Sequence, residues 1–217
     1  MMNSLFMSFD PMTKLTQMNW ITMLIPIIFL PKMFWMSHSR SIKLKKMIEK
    51  KLINEFKSIT NHKDMLILSS SMFTTILIMN MMGLFPYIFT TTSHISLAMS
   101  LSMPTWIMLM LYGWTNHTNK MFLHLLPSGT PTTISPMMIL IETTGNLIRP
   151  ISLSVRLTAN MIAGHLLMTL LGQTTNMDIL IMNLPLQMIL TLFESAVSFI
   201  QAYVFSTLIT LYSSELP

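Results

Sequence analysis

The sequence predicts an all-α integral membrane protein: about five transmembrane helices, one amphipathic helix in the membrane interface, and a last pair of spans forming a long tilted antiparallel hairpin. Three observations carry that prediction. Only 10% of the 217 residues are charged and 52% are hydrophobic, whereas a soluble domain averages roughly 25% charged residues. The mean hydropathy is +0.59. Apolar stretches long enough to cross a bilayer recur along the whole chain. Such a surface is expected to face lipid, where helices persist because they satisfy their own backbone hydrogen bonds.

No repeat and no low-complexity linker divides the chain, so residues 1–217 are read as a single membrane domain. The first apolar stretch covers residues 15–36, interrupted by Pro26 and Pro31. No basic region precedes it, so it is expected to stay in the mature chain rather than be cleaved. Residues 41–59 read differently. Leu44, Ile48, Leu52, Phe56 and Ile59 recur at helical spacing, with Lys43, Lys46, Lys50 and Lys57 between them. That pattern predicts an amphipathic helix lying in the interface among anionic head groups.

The second and third spans are predicted at 65–89 and 95–115. The fourth apolar stretch, 132–171, holds forty residues. As a helix it is about 60 Å long, against a hydrocarbon core of about 30 Å. It must tilt steeply, break, or run partly along the membrane, and Pro136 and Pro150 offer places to bend. The fifth span is predicted at 186–212.

Charge placement predicts topology. The net charge is +5, and nine of the thirteen Lys and Arg lie between Lys32 and Lys63. This concentration in one loop argues for a topology signal and against nucleic acid as a partner. The positive-inside rule puts that loop on the cytoplasmic side, or the matrix side in a mitochondrion. With five spans, the N-terminus is then outside and the C-terminus inside. The absence of cysteine excludes disulfides, thiolate metal sites and cysteine nucleophiles.

The last two stretches hold five ionisable residues: Glu142, Arg149, Arg156, His165 and Glu194. Each charge costs at least about 2.5–3.5 kcal/mol at mid-membrane. One explanation is an ion pair between helices or a side chain that snorkels to the interface. Their concentration in two spans favours a transport pathway. Glu142, Arg149 and Arg156 stand seven apart and share a helix face, with Asn160 one turn further on. Glu194 and Gln201 are also seven apart. In an antiparallel hairpin turning near residue 179, His165 falls opposite Glu194 and Arg156 opposite Gln201. His and Glu can exchange protons, while Arg stays charged. A fixed positive charge between titratable groups is a barrier to leak and a lure for a passing carboxylate.

The run Arg156-Leu157-Thr158-Ala159-Asn160-Met161-Ile162-Ala163-Gly164-His165-Leu166 resembles the signature of the a subunits of F-type ATP synthases. Gln201-Ala202-Tyr203-Val204-Phe205 resembles that family's last helix, and Phe9-Asp10-Pro11 its animal mitochondrial members. The 26 methionines are similar to the composition of animal mitochondrial products, in which an isoleucine codon is read as methionine. The resemblance implies a proton-translocating, non-catalytic subunit of the membrane sector in the mitochondrial inner membrane, without cofactor or metal. Its implied partners are the c-ring, the peripheral stalk, other membrane-sector subunits and the lipid bilayer. Arg156 matches the family's arginine facing the ring carboxylates, with Asn160 and Gln201 as polar neighbours. Glu142 matches the matrix-side channel, and His165 and Glu194 the intermembrane-space channel. Bacterial members carry an acid where His165 stands and a histidine where Glu194 stands. Arg149 lies outside the motif and is read as a snorkelling charge. The chain has no phosphate-binding loop. A proton-pumping subunit of a respiratory complex is the alternative reading.

Overall fold

The computed structural model describes residues 9–12, 16–24, 28, 39–60, 63–85, 88–126, 131, 133–172 and 177–215. It is helical throughout, with no strand among the described residues. Among the described residues the α-helices are, in order, α1 Arg40–Ile59, α2 Lys63–Gly83, α3 Ile95–Asn116, α4 Thr118–His124, α5 Ser135–Gly172 and α6 Met177–Glu215. Of these, α2, α3, α5 and α6 are long and apolar enough to cross a membrane. The protein is an all-α integral membrane protein. Of the span expected at 15–36, Met18–Leu24 forms a 3-10 helix, and most of the remainder lies outside the described residues.

Helix α1 begins at a Ser39 cap, whose side chain accepts from the Ile42 amide, satisfying one of the free donors of the first turn. Its apolar stripe is covered unevenly. Phe56 is fully buried, while Leu44 and Ile48 are 60% and 52% exposed. The C-terminal half therefore docks on α2 and α6, and the N-terminal half leaves its apolar side for lipid. The exposed lysines, among them Lys43, Lys46 and Lys50, complete an interfacial helix.

The four long helices pack as an open chain of neighbours: α2 along α6, α6 against α5, and α5 along α3. The core they share includes Phe73 and Ile76 of α2, Leu157 of α5, and Ala202 and Phe205 of α6. Their many Ser and Thr hydroxyls donate to carbonyls three or four residues back, as Ser206 does to Tyr203 and Thr158 to Ser154. That habit hides polar side chains from lipid without an interhelical partner.

Two boundaries differ from the sequence expectation. Helix α2 stops at Gly83 rather than near residue 89, although the apolar run continues. Glycine suits a helix end, and Pro86 disfavours helical backbone just before it. Helix α6 instead starts at Met177 and passes through Pro185. Likewise α5 passes through Pro150 and α3 through Pro104. At 38 and 39 residues, α5 and α6 are each about 57–59 Å long. Both exceed the bilayer core nearly twofold, so each must lie well off the membrane normal.

Candidate functional site

The site is built on the facing and outer sides of α5 and α6. Their register is set at mid-helix, where Asn160 Nδ2 donates to Gln201 Oε1 at 3.0 Å. Gln201 is 6% exposed, so this bond satisfies a buried amide that lipid would leave unpaired. The sequence placed Arg156, not Asn160, opposite Gln201. The difference is about one turn along the helix, since Asn160 follows Arg156 by four residues. Leu153, Ser154, Leu157 and Thr158 turn into the bundle, which leaves Arg156 on the outer face. There Arg156 is exposed, flanked by Ser152, Val155, Ala159 and Ala163, all exposed. It makes no ion pair among the described residues.

The other pairing expected from the hairpin is observed as a shared space. Glu194 packs directly against Gly164: a Cβ on that glycine would lie 2.9 Å from Glu194 Oε1. His165 follows Gly164, and both His165 and Glu194 line one large cavity of about 890 Å³. Asp10, Gly83, Thr90 and Thr191 also face it. His165 Nε2 and Glu194 Oε1 are buried and bond no protein atom among the described residues. Buried polar atoms without a partner are costly, and a cavity of this size holds water that can serve both. The His165 ring is held by the edge of Phe9, with centroids 6.3 Å apart and planes at 89°.

A second, much smaller cavity of about 40 Å³ lies toward the other end of the hairpin. Glu142, Asn146 and Arg149 of α5 line it, with Trp106 of α3 and Tyr212 and Glu215 of α6. Arg149 does not simply snorkel. Its Nη1 forms an ion pair with Glu215 Oε2, and its guanidinium lies 4.8 Å above the Tyr212 ring. This partly exposed clasp ties the last turn of α6 to α5, and partial exposure keeps its contribution to stability modest.

Counted along α5, Glu142 stands about 21 Å from Arg156, and His165 about 13 Å on the far side. Along α5, the arginine thus stands between the residues that line the two cavities, Glu142 and Arg149 on one side and His165 on the other. Among the described residues no group of His, Cys, Asp or Glu is arranged to hold a metal ion. Sequence reasoning singled out Glu142, His165 and Glu194 but missed Asn146, Glu215 and Asp10. Asn146 was legible, four residues after Glu142 on the same face. Glu215 and Asp10 reach the cavities only through tertiary packing.

Four apolar membrane-length helices, with half-buried and exposed ionisable groups gathered along the long α5–α6 pair, define a polytopic membrane protein. The family model described as ATP synthase A chain matches residues 16–214. The ATP synthase subunit a of Locusta migratoria is 48% identical over 223 residues, covering 99% of each chain. Those of Anopheles quadrimaculatus and Drosophila melanogaster are each 47% identical, over 224 and 222 residues, again covering 99% of each chain. The chain belongs to the ATP synthase A chain family.

Proposed function

We propose that this chain is the proton-translocating, non-catalytic a subunit of a mitochondrial F-type ATP synthase. The observation that carries the reading is the placement of Arg156: exposed, without an ion pair among the described residues, and, along α5, between Glu142 of one cavity and His165 of the other. The large cavity, with His165 and Glu194, is the uptake half-channel on the intermembrane-space side. The small cavity, with Glu142, is the release half-channel on the matrix side. Protons load a carboxylate of the c-ring from the first, ride the ring around, and leave by the second. Arg156 keeps the two apart. Each proton falling through about 100 mV releases about 2.3 kcal/mol. Rotation delivers that energy to the part of the complex that makes ATP.

The surface around Arg156 supports a protein partner there. Ser152, Ala159 and Ala163 are small and exposed, and small side chains let a neighbouring helix approach closely. The Asn160–Gln201 bond braces the hairpin one turn away. Purification in mild detergent should bring down a ring of small hairpin proteins together with peripheral-stalk and other membrane-sector subunits. Recovery of respiratory-complex subunits in place of the ring would favour the rival reading.

The orientation follows from α1. The positive-inside rule supports a matrix-side α1, and in this reading the N-terminus lies in the intermembrane space, the C-terminus in the matrix, and the domain spans the inner membrane as one unit. Because the native chain has no cysteine, Lys50→Cys provides a single labelling site on an exposed position. A membrane-impermeant thiol reagent should react with it from the matrix face only. Labelling from the intermembrane-space face alone would invert the topology and exchange the two half-channels.

A further inference from the structure

Three ionisable residues line the large cavity among the described residues, and they come from three separate parts of the chain: Asp10 from the N-terminal segment, His165 from α5 and Glu194 from α6. The stretch contributed by the end of α2 carries none, and His94 stands behind, its ring against Trp20 and Phe89. His165 and Glu194 are the inner groups, each with a buried polar atom that has no protein partner. Asp10 is the exposed one.

Two contacts and a ring hold Asp10 in place. Its Oδ1 accepts from the Met12 amide at 3.1 Å, and its carbonyl accepts from Asn19 Nδ2 at 3.5 Å. The preceding residue, Phe9, rests edge-on against His165. The N-terminal segment is therefore seated on the relay, with a carboxylate at the cavity wall. One carboxylate oxygen is engaged by the turn, and the other accepts no hydrogen bond among the described residues.

We propose that Asp10 is the outer proton relay of this cavity, taking protons from bulk water and passing them through cavity water toward His165 and Glu194. The inference rests on the reading of the large cavity as the uptake half-channel. In the step, hydronium gives a proton to the Asp10 carboxylate and becomes water. The carboxylic acid then gives that proton to a cavity water, and the carboxylate is restored. No other reactant is needed. A carboxylate at the mouth raises the local supply of protons, which matters most when protons are scarce outside.

Asp10→Asn is the discriminating variant, because Asn keeps the acceptor for the Met12 amide and removes only the exchangeable proton. Asp10→Glu keeps the proton chemistry. Proton flux through the membrane sector of the intact complex is measured across a range of pH on the uptake side and normalised to assembled complex. The Asn variant should lose flux several-fold at high pH and approach the native rate as pH falls, with Glu restoring most of the loss. Native flux for Asn at every pH, with His165→Ala still slow, would overturn the role of Asp10 and leave the half-channel standing. Equal losses for Asn and Glu, independent of pH, would also overturn it, since they mark a packing role. Native flux in both Asp10→Asn and His165→Ala would remove the half-channel itself.

Discussion

Arg156→Ala is expected to abolish proton-driven ATP synthesis while leaving a fully assembled complex. Both halves of that expectation come from where the side chain sits. Arg156 lies on the exposed face of α5 and forms no ion pair among the described residues, so its removal takes no contact from the core. Most of the damage falls on the proposed partner. A ring carboxylate at about 4 Å is attracted by about 4 kcal/mol at an effective dielectric of 20, close to a thousandfold in an equilibrium. Without it, a protonated ring carboxyl arriving at the release side has little reason to give up its proton, and the barrier between the half-channels is lost. Lys is a poor substitute, since it can deprotonate and lacks the planar fork. Synthesis rates in membranes carrying the variant, read beside complex yield, decide the matter. Native synthesis with Ala would end the assignment of Arg156.

The second large effect is expected at His165 and Glu194. Either His165→Ala or Glu194→Ala should slow proton uptake well beyond any loss of assembled complex. The exchanged variant, His165→Glu with Glu194→His, should recover part of what each single exchange loses. The basis is geometric. The two residues line one cavity, and Gly164 is what lets Glu194 approach α5 at that level. The exchange restores one acid and one base in the same water-accessible space. A purely structural pair would show rescue in yield without a specific defect in flux. A double-mutant cycle on passive proton flux separates these outcomes. Strictly additive flux losses at full yield would mean that the residues act independently and do not form one relay.

How much of this was written in the sequence differs from element to element. The membrane class, the interfacial helix and the length of α5 follow from hydropathy, charge clustering and periodicity. These are local properties that a one-dimensional pattern carries. The antiparallel register was also accessible, because the spacing of polar residues on two long helices leaves few ways to pair them: Glu194 does face the turn of α5 that carries His165. The end of α2 was readable in principle from Gly83 and Pro86, but a continuous apolar run hid it. Pro150 and Pro185 stand inside α5 and α6 and do not end them. In lipid, breaking a helix exposes more backbone than a proline removes, so the helices continue through them.

The tertiary structure decided what depends on rotation and on distant contacts. A shift of about one turn along α5 put Asn160, not Arg156, against Gln201, and so left the arginine for the outer face. Arg149 found Glu215, 66 residues away, where the sequence offered only a charge near a membrane boundary. Phe9 and Asp10 reached the cavity of His165 from the opposite end of the chain. Sequence determined which helices form and which of their faces can meet, because propensity and hydropathy act over one or two turns. Which side chains actually share a cavity was left to packing, because steric fit among helices selects one rotation from several that the pattern allows.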